Sequence, residues 1–189
     1  MIDLPGFADP GTDAQACFRA VLDAMSRPGT IHDVGAGLTP PAPLDAATAA
    51  VLLTLADADT PVFIAAAHQA ARAWAGFHCG CPFAALADAA FVLATELPDL
   101  ATLDAGSDEA PHGSATLLLQ VRALGAGRSW LLAGPGLRRP ARLSIDGLPE
   151  DFASRWAANR ALFPRGVDII LCAGSRLAAL PRSLAVTEG

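Results

Sequence analysis

Apolar residues recur at helical spacing near the start of the chain. They stand three or four positions apart from Asp13 onward and form a single stripe: Ala14, Cys17, Phe18, Val21, Leu22 and Met25. This spacing predicts a first helix, with Thr12 or Asp13 as the residue that caps its N-terminus. Pro28 and Gly29 end it, because proline cannot continue a helix and glycine relaxes the exit. A short strand is expected over residues 31–34.

The next segments alternate between helical and extended patterns. A second helix is predicted to begin at Asp45, with one face formed by Thr48, Val51, Leu52 and Leu55. A turn through residues 56–61 leads to a strand over 62–65, and a third helix over 68–77 is expected to bury Trp74 and Phe77. A strand over 91–94 and a polar loop over 104–114 follow.

The second half of the chain carries continuous apolar runs, which are typical of strands buried on both faces. Strands are predicted over 116–121, 130–133 and 167–172, with a helix over 148–162 and a final hairpin strand over 177–180. Because helices alternate with buried strands, we expect an α/β fold: three layers, with a mixed sheet flanked by helices. The length of 189 residues fits a single domain, 1–189.

Composition limits the partners and the location of the protein. The net charge is −6 and the basic residues are scattered, which argues against nucleic acid as a partner. The mean hydropathy is +0.38, yet the longest apolar run is about one helix long and too short to span a membrane. The first ten residues lack the basic start and apolar core of a secretory signal, so we expect a cytoplasmic protein.

All thirteen basic residues are arginine, and the chain contains no lysine. A phosphate-binding Walker A loop needs its lysine, and a pyridoxal phosphate enzyme needs a lysine amine for its Schiff base. The sequence therefore excludes both mechanisms, and we expect no cofactor.

The four cysteines separate into two pairs by context. Cys17 and Cys172 lie in apolar patterns and are interpreted as core residues. Cys79 and Cys81 stand beside His78 and could contribute to a metal site. A structural zinc site needs a second ligand pair, which the sequence lacks, so we expect no metal.

Other polar groups have a structural and a chemical interpretation. Gly134-Pro135-Gly136 fits a tight turn better than a phosphate loop, because proline removes a backbone donor. Three nearby arginines could bind phosphate, although a solvated or partner-facing surface is favoured for them: Arg138, Arg139 and Arg142. Asp57 and Asp59 are interpreted as turn-forming residues and His78 as a helix cap. The residues alone thus indicate an α/β domain with no self-evident active site.

Four segments in order nevertheless resemble the PhnH subunit of bacterial carbon–phosphorus lyase. They are DAQACFRAVLDAMSRPG, VLLTLADADTPV, GSATLLLQV and FPRGVDIILCAGSRLAALPR, and together they extend from Asp13 to Arg182. The resemblance implies a fold like the large domain of pyridoxal-phosphate-dependent transferases, without the cofactor. It also implies an accessory role in making ribose 1-methylphosphonate 5-triphosphate from ATP and methylphosphonate, with the other lyase subunits as partners and a homodimer when isolated.

The resemblance also directs attention to particular side chains. The polar residues that match the family pattern are candidate ligand or partner contacts, and no catalytic residue is assigned: Arg19, Asp57, Asp59, His78, Asp168 and Arg182. Two alternatives remain open. The chain could be an autonomous enzyme that binds a nucleotide or phosphonate, or a scaffolding protein outside phosphonate metabolism. The lack of a nucleophile–base pattern favours the accessory subunit.

Overall fold

The computed structural model describes residues 4–189. It contains four α-helices: α1 (Pro10–Ser26), α2 (Ala46–Leu55), α3 (Gln69–Cys79) and α4 (Phe152–Arg160). Nine strands complete the order: β1 (His32–Asp33), β2 (Val62–Phe63), β3 (Phe91–Ala94), β4 (Thr116–Gln120), β5 (Ala123–Ala133), β6 (Ala141–Asp146), β7 (Asp168–Ala173), β8 (Arg176–Leu180) and β9 (Ala185–Glu188).

The strands form two sheets. The larger has the order β1-β8-β7-β4-β3-β2, and the smaller has the order β6-β5-β9. In the larger sheet β2, β3, β4 and β7 are parallel, whereas β8 and β1 run antiparallel to their neighbours. All pairs in the smaller sheet are antiparallel. The prediction of a mixed α/β fold is therefore confirmed.

The larger sheet is the middle of three layers. Its side chains alternate between two cores, because successive residues of a strand point to opposite faces. Leu118 and Ile170 pack toward α1, α2 and α3. Leu117 and Ile169 pack on the other side, against Trp130 of the smaller sheet and α4. Helices thus flank the sheet as expected, and one face carries in addition a second sheet that the sequence pattern did not predict.

Helix α2 lies at the centre of the first layer and is buried nearly all round: Ala47, Thr48, Ala49, Ala50, Val51 and Leu52 are all buried. Asp45 accepts a hydrogen bond from the Thr48 N–H, and its position confirms the predicted start of this helix. The predicted cap of α1, Thr12 or Asp13, is wrong. Asp9 caps this helix by accepting a bond from the Thr12 N–H, and Pro10 begins it, since proline suits the first helical turn.

Several boundaries differ from the sequence pattern. The strand predicted over 130–133 is the last part of an eleven-residue β5, whose irregular register lies between Leu124 and Arg128. The helix predicted over 148–162 is shorter, since α4 spans Phe152–Arg160. The prediction that α3 buries Phe77 is wrong, because Trp74 is buried but Phe77 is 69% exposed. Gly134-Pro135-Gly136 forms the tight turn expected of it, closed by the Leu137 N–H donating to the Gly134 carbonyl.

Among residues 4–189, no helix is both long enough and apolar enough to cross a bilayer.

Candidate functional site

Asp57 and Asp59 lie in the exposed turn between α2 and β2. The Asp57 carboxylate accepts hydrogen bonds from the Thr60 hydroxyl at 2.6 Å and from the Asp59 N–H at 3.0 Å. These bonds, the one from Thr60 foremost, hold the pKa of Asp57 below its usual value. The interpretation of Asp57 as a turn-forming residue is therefore confirmed.

Asp168 and Arg182 form an ion pair at the start of β7 and the end of β8. Arg182 Nε lies 3.2 and 3.1 Å from the two carboxylate oxygens, and its backbone N–H donates to the same carboxylate at 2.7 Å. A further guanidinium N–H of Arg182 donates to the Pro111 carbonyl at 2.7 Å. The two side chains are only 15% and 14% exposed. The pair joins β7, β8 and the loop before β4, which is a structural role.

His78 lies in the last turn of α3 and is half-buried. Its Nε2 is 3.0 Å from the Leu4 carbonyl oxygen, to which Trp74 Nε1 also donates at 3.2 Å. His78 therefore ties the N-terminal segment to α3. His78 lies in the last turn of α3, where a helix cap was predicted. Within residues 4–189, its side chain makes no hydrogen bond to the end of its own helix.

The six candidate residues do not form one site. Asp57 and Asp59 precede β2, and the Asp168–Arg182 pair stands at the start of β7, so both groups lie beyond the amino ends of the parallel strands. Arg19 is exposed on α1, and His78 lies on α3. The structure brings only Asp168 and Arg182 into ion-pair contact.

A cleft lies at the opposite edge, beyond the carboxyl ends of β2, β3 and β4. Ligands of open α/β sheets commonly bind at this edge. Two cavities of about 210 and 360 Å³ meet there, and Glu96 lines both. The polar side chains of the cleft are His68, Thr95, Glu96, Arg122 and Arg155.

Two arginines of the cleft are held in fixed orientations. Arg122 donates from Nε and Nη2 to the two oxygens of Asp146, at 3.0 and 2.6 Å. This pairing raises the pKa of Arg122 and lowers that of Asp146. Arg155 donates to the Pro98 carbonyl at 2.5 Å and lies 3.9 Å from the Asp151 carboxylate. Hydrogen bonds therefore fix the orientation of each guanidinium. A carboxylate lies beside each one, Asp146 beside Arg122 and Asp151 beside Arg155.

The same edge is braced by an amide–carboxylate network. Gln120 accepts from the Asp45 N–H at 2.8 Å and donates to the Pro43 carbonyl at 2.7 Å. Asp45 in turn accepts from the Gly174 N–H at 3.0 Å, which connects α2 to the end of β7. Burial raises the pKa of Asp45. This network fixes the loop that forms one wall of the smaller cavity.

The cleft offers hydrogen-bonding groups. Glu96 and His68 present a carboxyl group and an imidazole, and Arg122 and Arg155 donate hydrogen bonds to anionic or carbonyl groups. The sequence analysis missed these residues. The available signal was a polar residue two positions after a buried strand: Glu96 follows β3, which ends at Ala94, and Arg122 follows β4, which ends at Gln120.

The cysteines are poorly suited to chemistry in this state. Cys17 and Cys172 are buried, as predicted, and burial raises the pKa of each thiol. Burial and the neighbouring Cys81 raise the pKa of Cys79 to about 12. In the part of the chain that the structure describes, no three histidine, cysteine or acidic side chains group as metal ligands.

Comparison with known proteins gives a consistent result over nearly the whole chain. The family model described as "Bacterial phosphonate metabolism protein (PhnH)" matches residues 5–187. Over 183 residues the chain is 39% identical to the alpha-D-ribose 1-methylphosphonate 5-triphosphate synthase subunit PhnH of Rhizobium meliloti (strain 1021), covering 94% of this chain and 92% of that protein. Over 174 residues it is 33% identical to HtxG of Stutzerimonas stutzeri, named as a C-P lyase subunit protein, covering 89% of this chain and 83% of that protein.

Proposed function

The chain belongs to the PhnH family of bacterial phosphonate metabolism proteins, and on this premise we propose that it is an accessory subunit of a carbon–phosphorus lyase complex. It takes part in the formation of ribose 1-methylphosphonate 5-triphosphate. The name of the Rhizobium relative gives this compound as the product of the synthase to which that relative belongs. The observation that carries the proposal is the 39% identity to that subunit over 94% of this chain. The family match over residues 5–187 includes both edges of the sheet and all four helices.

Exposed apolar side chains support a role in an assembly. Phe18 is 45% exposed, Leu22 53% and Phe77 69%. Large aromatic and aliphatic side chains at the surface are enriched where proteins bind one another. The other lyase subunits are the proposed partners.

A tagged pull-down from the native host tests this role. The cells are grown with methylphosphonate as the only phosphorus source, and the bound proteins are identified and quantified by mass spectrometry. We expect the other carbon–phosphorus lyase subunits in a fixed ratio to the chain. Recovery of the chain without them, under conditions where they are expressed, contradicts the proposal.

We also propose that the isolated chain forms a homodimer. Phe77 projects from the end of α3, where it is the most exposed large apolar side chain among residues 4–189. Light scattering coupled to size-exclusion chromatography is expected to give the mass of two chains. The Phe77→Ser variant should shift the population toward the monomer.

The cleft at the carboxyl edge favours a second function, the binding of a nucleotide or phosphonate by the chain itself. Its support is that Glu96, Arg122 and Arg155 all line the larger cavity, and that Glu96 also lines the smaller one. Calorimetric titration of the isolated chain with ATP and with methylphosphonate tests this. Binding that is weakened by Arg122→Gln, and unaffected by Arg160→Gln, whose exposed side chain lines neither cavity, would support this function.

A relationship to the large domain of pyridoxal-phosphate-dependent transferases remains part of the proposal. Its support is the set of parallel strands next to the antiparallel β8, and a sequence without lysine for a Schiff base. The chain is incubated with pyridoxal phosphate, and the unbound reagent is removed. The absorbance spectrum of the protein should then show no internal Schiff-base band.

A further inference from the structure

The outer face of α1 carries apolar side chains around an arginine. Phe18 and Leu22 are four residues apart, so they lie next to each other on one side of the helix. They are 45% and 53% exposed. Arg19 stands between them in sequence and is exposed. Asp23, four residues beyond Arg19, is already paired with Arg27 and His32.

This face continues onto the turn between β5 and β6. Ser26 is eight residues beyond Phe18, which places it about 12 Å farther along the same side of the helix. A Cβ added at Gly136 would collide with the Ser26 carbonyl oxygen and would lie 3.5 Å from Pro28, so the turn is packed against the end of α1. Arg138 and Arg139, both exposed, follow in that turn.

Three exposed arginines of this region have neither a carboxylate nor another hydrogen-bond partner within residues 4–189. Six arginines of the protein pair with a carboxylate within 4 Å. Of the other seven, Arg72, Arg142 and Arg160 hydrogen-bond to carbonyl or hydroxyl oxygens. Four arginines make neither an ion pair nor a side-chain hydrogen bond within residues 4–189: Arg19, Arg138, Arg139 and Arg176. The formal net charge of the whole chain is −6, and three of these four arginines belong to this one region.

We propose that Phe18, Leu22, Arg19, Arg138 and Arg139 form a docking surface, the α1–hairpin surface, for another lyase subunit whose contact segment is apolar with flanking carboxylates. Charge complementarity determines this choice of occupant. A second copy docked symmetrically would place the same unpaired arginines against themselves, and like charges across an interface oppose binding. An acidic partner satisfies the arginines, while Phe18 and Leu22 are removed from water. This inference rests on the proposed function.

Charge reversal tests the surface. The remaining lyase subunits of the same host are purified as an assembly without this chain, and its binding to them is measured by biolayer interferometry. The variant R19E/R138E/R139E is compared with R176E, which reverses an exposed arginine that also lacks an ion pair within residues 4–189 but lies at the start of β8. A second variant, F18S/L22S, removes the apolar part. Circular dichroism establishes that each variant is folded.

We expect the triple variant and F18S/L22S each to bind at least tenfold more weakly, with R176E unchanged. Binding of the native chain should also weaken as salt is raised, because the arginines contribute electrostatic attraction. If the native chain binds the assembly and the triple variant binds equally well, the α1–hairpin surface is not the docking site. The accessory role still stands in that case. If the native chain does not bind the assembly, the accessory role itself fails. If the triple variant converts a native dimer to a monomer, a second copy occupies the surface and the inference is overturned.

Discussion

Two arginine–aspartate pairs show how exposure determines the role of the same two residue types. The Asp168–Arg182 side chains are 14% and 15% exposed and bond to three structural elements. Those of Arg122 and Asp146 are 75% and 39% exposed and lie beside a cleft. Removing one member of a buried pair leaves an uncompensated charge, whereas exposed pairs contribute little because water screens them. The first pair is therefore structural, and the second is available for a ligand.

Replacing Asp168 with asparagine should lower the free energy of unfolding by about 3 kcal/mol, since Arg182 then remains nearly buried without its carboxylate. Urea denaturation followed by circular dichroism measures the change. Asp146→Asn is the matched control and should leave the denaturation midpoint close to that of the native chain. Equal losses in the two variants would show that burial does not separate these pairs.

The cysteine thiols provide a second test at this scale. Because burial and Cys81 raise the pKa of Cys79 to about 12, its thiol is almost entirely protonated in the folded protein at pH 8. Iodoacetamide reacts with the thiolate, so we expect Cys79 to be alkylated slowly in the native chain and rapidly in urea. Mass spectrometry of the peptides measures both rates. Rapid native alkylation at pH 8 would contradict the half-buried, protonated thiol.

Helices α1, α2 and α3 and the strands of the larger sheet could be predicted because local patterns determine them. Residues 91–94 form β3 as predicted, and Asp45 caps α2 at the predicted start. Strands β6 and β9 were missed although Leu143 and Ile145 alternate with polar neighbours. Neither strand carries a continuous apolar run, and the sheet becomes evident only when β5 pairs with both strands. Pairing between distant segments is not encoded in local spacing.

The candidate site was less predictable for the same reason. Glu96 and Arg122 become neighbours of one cleft only because β3 and β4 are parallel and in register. The family resemblance directed attention to Asp57, Asp168 and Arg182, whose hydrogen bonds lie within turns and strand ends. A sequence can indicate that a polar residue has a role, but it does not show at which edge of the sheet the side chain lies.

Gly127 tests the irregular part of β5. Its φ is +86°, and an added Cβ would lie 2.7 Å from Asp146 Cα. We expect Gly127→Ala to lower the free energy of unfolding by about 1–2 kcal/mol from the backbone conformation alone, with the collision adding to that loss. Gly113→Ala is the control, because a Cβ there meets nothing within 4 Å. A native-like midpoint for Gly127→Ala in urea would contradict the assigned geometry.

Over the whole molecule, the two edges of the larger sheet have different properties. The amino edge is closed by the Asp57 turn and the Asp168–Arg182 pair. The carboxyl edge carries the cleft lined by Glu96. The α1–hairpin surface is separate from both, since none of its residues lines either cavity of the cleft. One chain can therefore bind a partner subunit and leave its cleft open to a ligand.

We propose that the chain is a required accessory subunit and does not catalyse the reaction on its own. The most direct measurement is formation of ribose 1-methylphosphonate 5-triphosphate from ATP and methylphosphonate, followed by ³¹P NMR, with the purified lyase subunits in the presence and absence of this chain. We predict product only when the chain and the other subunits are combined, and none from the chain alone. Undiminished product without the chain, or product from the chain by itself, would contradict the account.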